Sequence, residues 1–276
     1  MSEGPGLFSD FGKKAKDLLN KDYTSDQKFT VSSSTFTGLV LVSNIVNKGG
    51  LSFGEVATQY KHKNAIIDFK LDTGSNISTT FTITDSHPSA KMVASFKLPD
   101  SNSGKLEFQY LHEHAAMTTA VGLKKLPTVD FSATIGTPGI AFGAEASYMT
   151  SSGEFTKYNA GVNMTKPDSN ASVILADKGD SLKVSYLHYL NQLNGGAVVG
   201  EIARKFSTNE NTLTVGCSYL VDQHTLVKAK LNNHGHLGAI VQHELRPKSF
   251  VTVSGAFDTK ALEKTPKFGL ALSLKP

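Results

Sequence analysis

From about Lys28 to its C-terminus the chain alternates apolar and polar residues with a period of two, segment after segment. Ile77, Thr79, Phe81 and Ile83 alternate with Ser78, Thr80, Thr82 and Thr84, and Met92, Ala94, Phe96 and Leu98 with Lys91, Val93, Ser95 and Lys97. The rhythm returns at Leu213, Val215, Cys217 and Tyr219, and at Phe268, Leu270, Leu272 and Leu274. Successive side chains of a strand point to opposite faces, so each segment is a strand with one apolar and one polar face. Gly, Asn, Asp, Pro and Ser divide the chain into nineteen such segments, give or take one or two, the first near 28–35 and the last near 267–274. Connections such as Thr73-Gly74-Ser75 and Lys166-Pro167-Asp168-Ser169 are short enough to make neighbours antiparallel hairpins.

So many strands do not stay an open sheet with free edges. Two closures remain. A soluble β-rich ligand-binding protein would pack its apolar faces together, whereas a transmembrane β-barrel turns them to lipid and its polar faces to a water-filled lumen. Segment lengths near the roughly 9–11 residues that cross a tilted hydrocarbon layer favour the barrel. So does the charge carried on many polar faces. Were the strand number odd, the first and last strands would pair in parallel.

One stretch has a different period. Leu7, Phe8, Phe11, Ala15, Leu18 and Leu19 recur at three- and four-residue steps, opposite Asp10, Lys13, Lys14, Lys16 and Asp17. Pro5 suits a first turn, so the spacing predicts an amphipathic helix over residues 5–20. The expected division is a helix and linker at 1–26 and a barrel at 27–276.

Composition excludes other classes. A formal net charge of +4 with dispersed lysines gives no block for nucleic acid. The single cysteine, Cys217, makes no internal disulfide and reads as a small apolar strand residue. No run approaches the roughly 18 apolar residues of a spanning helix. Lys13 and Lys14 interrupt any secretory signal, and Asp10, Asp17 and the lack of Arg argue against a cleaved presequence. His112 and His114, and His234 and His236, share faces but have no obvious third ligand, so no metal is expected. No nucleophile triad, phosphate loop or dinucleotide fingerprint stands out, and neither an enzyme nor a cofactor is expected.

Three blocks carry a family resemblance. Phe11-Gly12-Lys13-x-Ala15-Lys16-Asp17-x-x-x-Lys21-x-Tyr23 opens the chain; Tyr219-x-x-Asp222, Ala229-Lys230-Leu231-Asn232-Asn233, Gly238 and Leu245-x-Pro247 follow late; Lys267-x-Gly269-x-x-Leu272-x-Leu274 closes it. Together they resemble the voltage-dependent anion channels, the porins of the mitochondrial outer membrane, in their plant-type form. The resemblance implies a nineteen-strand barrel with its N-terminal helix inside the lumen. It implies a voltage-gated, weakly anion-selective passage for nucleotides, phosphate and organic anions. Membrane lipids, the import and barrel-insertion machinery, further copies of the chain and docked cytosolic proteins such as hexokinase are the partners it implies. Lys267, Gly269, Leu272 and Leu274 would form the insertion signal. Gln59 stands nearest to the membrane-facing Glu of animal members, and the triplet Gly122-Leu123-Lys124 is not taken as a nucleotide site.

Alternation assigns the lumen. Lys70, Lys91, Lys97, Lys105, Lys183, Lys228 and Lys230, with Lys267, point inward against Asp68, Asp72 and Glu107. The helix adds Lys13, Lys14, Lys16 and Lys21 against Asp10 and Asp17. These residues are the expected pore-lining and voltage-sensing set. Nineteen strands about 4.8 Å apart and tilted by roughly 40° give a backbone diameter of about 38 Å. A helix about 10 Å thick on the inner wall, its apolar stripe meeting residues such as Val93, narrows that bore to roughly half.

Overall fold

The computed structural model describes residues 4–35, 37–84, 89–100, 102–191, 196–261, 263 and 265–275. Strands fill the chain from residue 27 onward. The first six are β1 (Gln27–Ser34), β2 (Leu39–Lys48), β3 (Leu51–His62), β4 (Ala65–Asp72), β5 (Ile77–Thr84) and β6 (Ala90–Leu98). Next come β7 (Lys105–Leu111), β8 (Ala115–Gly122), β9 (Thr128–Gly136), β10 (Ile140–Met149), β11 (Glu154–Thr165), β12 (Ser169–Ala176) and β13 (Ser181–Asn191). The chain closes with β14 (Gly196–Lys205), β15 (Glu210–Asp222), β16 (Thr225–Asn232), β17 (His236–Arg246), β18 (Ser249–Asp258) and β19 (Lys267–Leu274).

Each strand pairs antiparallel with the next, and β1 pairs parallel with β19 through Gln27↔Leu270, Phe29↔Leu272 and Val31↔Leu274. The sheet closes on itself as one nineteen-stranded layer. Among the described residues no second sheet covers the apolar rows. Phe81, Phe96, Phe131, Phe142, Val215 and Leu270 stand exposed on the outer face, so the packed soluble alternative does not describe this fold. Aromatic pairs lie on this face toward both rims: Tyr148 with Phe155 and Phe257 with Phe268 at the rim where β1 begins, Tyr60 with His62 and Tyr186 with His188 toward the other. Such girdles suit the two membrane interfaces.

The N-terminal segment lies inside. The expected single helix over residues 5–20 is corrected here: a 3-10 turn covers Phe8–Asp10, and the α-helix, α1, runs only over Lys13–Asn20. Between them Phe11 is extended and Gly12 takes a left-handed conformation, φ 66° and ψ 4°. That backbone favours glycine, and a Cβ at Gly12 would also lie 2.6 Å from Ser172 Oγ on the wall. The break divides the apolar stripe between two seats. Phe8 and Phe11 bury themselves against Ala141, and Ala15 and Leu19 against Leu187, Ala197 and Val199.

Candidate functional site

Register fixes which residues face the lumen. Partnered residues across a ladder share a face, so the row facing the N-terminal segment can be followed strand by strand round the barrel. It returns to its starting parity, through Gly143↔Gly161, Asn163↔Ser172, Ser185↔Glu201, Val199↔Gly216 and Lys230↔Gly238, and on to Ser254↔Gly269. On this row stand Lys70, Lys91, Lys97, Lys105, Lys183, Lys228, Lys230 and Lys267. Inward acids absent from the sequence reading include Glu55, Asp130, Glu145, Glu201, Glu210, Glu244 and Asp258. Strand parity alone would have found them.

The lysines do not stand in equivalent surroundings. Lys70 pairs with Glu55 at 3.4 Å, Lys105 with Glu107 at 3.2 Å, Lys157 with Glu145 at 2.7 Å and Lys183 with Glu201 at 2.9 Å. Lys13 pairs with Asp10 at 3.2 Å. Lys91 and Lys97 form no ion pair with a described residue, and neither do Lys14, Lys16 and Lys21 on the N-terminal segment, residues 4–26, which lies along the inner wall as a strap. Lys228 and Lys230 hold the strap. Lys228 Nζ is 3.3 Å from Asp22 Oδ2, and Lys230 Nζ donates to the Leu19 carbonyl at 2.6 Å while lying 4.2 Å from the Tyr23 ring centroid. Asp17 is exposed on α1, and its carbonyl accepts the Lys21 N–H at 2.9 Å.

Burial against the wall beside Lys230 pushes the Tyr23 hydroxyl up to about 12. Because the folded value lies above the ordinary 10, the strap's hold on Tyr23 is complete below pH 10 and weakens as pH rises from 10 to about 12. A spectroscopic titration of tyrosine should show one late-titrating phenol, and Tyr23→Phe should remove it.

The strap follows a groove of small residues. A Cβ at Gly143 would stand 2.7 Å from Phe8 Cδ2, one at Gly216 2.7 Å from Leu19 Cδ2, and one at Gly238 3.0 Å from the Tyr23 ring. At Gly269 it would fall on the Thr24 carbonyl, which Ser254 Oγ also contacts. Thr134 Oγ1 donates to the Gly6 carbonyl at 2.6 Å near the other end. Gly143 reads in the sequence only as a strand glycine, and Gly238 and Gly269 only as members of the family blocks, because nothing in a strand's own pattern says what crosses it. The helix therefore seats on β13–β15 and the 3-10 turn on β9 and β10. Val93, on β6, faces inward but lies away from these contacts, which corrects its expected role as a helix seat.

Gln59 also needs correction. It lies on the inward row and donates to Asp68 Oδ1 at 2.7 Å, so it does not stand where a membrane-facing carboxylate would. The outward rows of β3 and β4, Val56, Thr58 and Tyr60 beside Ile67, Phe69 and Leu71, carry no acid. His112 and His114 contact each other edge to face, and no group of three metal-binding side chains occurs among the described residues. Cys217 is free and sits on the outward row. No helix of the described residues is long and apolar enough to cross a membrane.

A closed single-layer barrel, apolar outside, charged inside and narrowed by its own N-terminal segment, is a membrane pore. The chain belongs to the eukaryotic porin family, whose model matches residues 4–269. It is 60% identical to mitochondrial outer membrane protein porin 2 of Arabidopsis thaliana over the whole of both chains. It is 58% identical to mitochondrial outer membrane protein porin 5 of rice, Oryza sativa subsp. japonica, over 99% of each, and 50% identical to the outer plastidial membrane protein porin of pea, Pisum sativum, over the whole of both. Among solved structures, a triple mutant of the Rhodopseudomonas blastica porin aligns with a TM-score of 0.50 at 9% identity, covering 88% of this chain and 94% of that one. That likeness concerns the fold alone.

Proposed function

We infer that the protein conducts through its lumen as a voltage-dependent anion pore of the mitochondrial outer membrane, passing nucleotides, phosphate and organic anions. The observation that carries the chemistry is the set of lumenal lysines that no described ion pair neutralises, Lys91 and Lys97 on the wall together with Lys14, Lys16 and Lys21 of the strap. The anion preference is weak, because the Debye length is about 8 Å at physiological salt and screens wall charges at the centre of so wide a bore. Lys91, Lys97, Lys14, Lys16 and Lys21 carry most of the selectivity, while Lys228 and Lys230 act by holding the strap in place. The last strand, with Lys267, Gly269, Leu272 and Leu274, is the segment offered to the barrel-insertion machinery.

Vesicles loaded with ATP and a large dextran test the permeation reading. Incorporated protein should release the nucleotide and retain the dextran. Retention of both, with the protein shown to be inserted, would sink it.

A further inference from the structure

The outer face is not uniformly convex. On β9–β12 one cross-strand row holds Ala133, Ala144 and Ala160 side by side, with Leu175 next to them. Ala146 extends the floor one step toward the rim where β1 begins, between Phe131 and Tyr158. Phe142 and Ile135, with Val162 and Val173, wall the opposite end. Two depressions of about 610 and 520 Å³ share Ala133, Ala144, Ala160 and Leu175 and form one continuous trough. The larger part has the volume of about twenty water molecules in the liquid, the size of a fatty acyl chain.

The trough ends at Lys178 and Gly179, in the turn between β12 and β13. Lys178 is exposed and makes no ion pair with a described residue. On the same rim, the β8–β9 connection presents Leu123 and Leu126 outward, with Lys124 and Lys125 between them. An apolar floor that faces hydrocarbon, opening on a cation at the headgroup level, matches one kind of molecule. We propose that this trough is a binding site for an anionic phospholipid, one acyl chain lying on the alanine row and the phosphate meeting Lys178. Charge selects the headgroup, since an interfacial lysine attracts anionic lipid, and the alanines select the chain, since any larger side chain fills the space it occupies. The inference rests on the outer face meeting lipid and is independent of what the lumen conducts.

The test is lipid retention by the full chain, reconstituted in vesicles of phosphatidylcholine and phosphatidylglycerol, extracted in mild detergent and weighed by native mass spectrometry. One phosphatidylglycerol should remain bound in preference to phosphatidylcholine. Lys178→Glu should lower that preference by about fivefold or more, the worth of one interfacial lysine. Ala144→Phe should reduce retention of both lipids, and Ala160→Ile serves if that variant does not insert. Ala94→Phe, on the outward row of β6, should change nothing. Unchanged retention in Lys178→Glu and in the alanine variants would overturn the proposal, as would equal loss in Ala94→Phe, or a sterol or second protein copy held at the trough. Channel currents from the same samples separate this outcome from failure of the pore reading.

Discussion

Replacing Gly143 and Gly216 together by leucine should release the N-terminal segment from the wall and change both the size of the open pore and its response to voltage. The two glycines lie under Phe8 and Leu19, and the space for a larger side chain is already taken on every side: Thr134 Cγ2 is 2.7 Å from the site of a Cβ at 143, and Ala229 O and Val199 Cγ1 are 3.2 and 3.3 Å from that at 216. Phe8, Phe11 and Leu19 are 6%, 6% and 2% exposed, so unseating them costs roughly 1.5–3 kcal/mol for each side chain returned to water. The ladder itself need not break, because both positions face the lumen and keep their backbone bonds. Cleavage by added protease within residues 4–20 should therefore appear while the barrel remains intact. A bore roughly half obstructed by a helix about 10 Å thick should widen, and unitary conductance should rise or fluctuate between levels. Unchanged conductance and unchanged protection of the segment would mean that the glycines do not seat it.

The second large effect is on selectivity. Lys91→Glu with Lys97→Glu reverses two inward charges that no described ion pair neutralises, on a stretch of wall that α1 and the 3-10 turn do not cover. The reversal potential under a salt gradient should move from the anion-favouring to the cation-favouring sign. The shift should be largest in dilute salt, where the Debye length approaches 30 Å and wall charges act at the centre of the bore. Lys183→Glu makes an informative contrast. Its partner Glu201 lies 2.9 Å away and is only 14% exposed, so the change sets two carboxylates together near the seat of α1 and should disturb the strap along with the selectivity.

The barrel was legible because its signal is repeated. One alternating segment is weak, but about nineteen in series with short turns leave closure as the outcome; the odd count that requires the parallel β1–β19 seam came with the family resemblance. The site was legible in parts. Parity placed Lys91 and Lys97 on the inward row, yet could not reveal that Lys230 reaches the Leu19 carbonyl across 211 positions of sequence. The helix was overextended because Leu7, Phe8 and Phe11 keep helical spacing through Gly12, and spacing carries no information about a backbone that turns left-handed to meet Ser172 and Ser185. Val93 failed as a seat for a related reason: an inward apolar side chain is necessary for docking, but position round the barrel decides which one is used.

Voltage dependence follows from the same placement. Moving one charge through 100 mV is worth about 2.3 kcal/mol, so at ~40 mV several charges must move together to change the open population strongly. We propose that Lys14, Lys16 and Lys21, which ride on a single segment, supply that displacement as a unit. Current through a planar bilayer, recorded under a salt gradient with voltage stepped to both signs, tests the whole account most directly. Large unitary steps, a mildly anion-favouring reversal potential and a fall to smaller levels at high voltage of either sign are the expected result. Inserted protein that gives no steps, or steps without charge preference that ignore voltage, would contradict it.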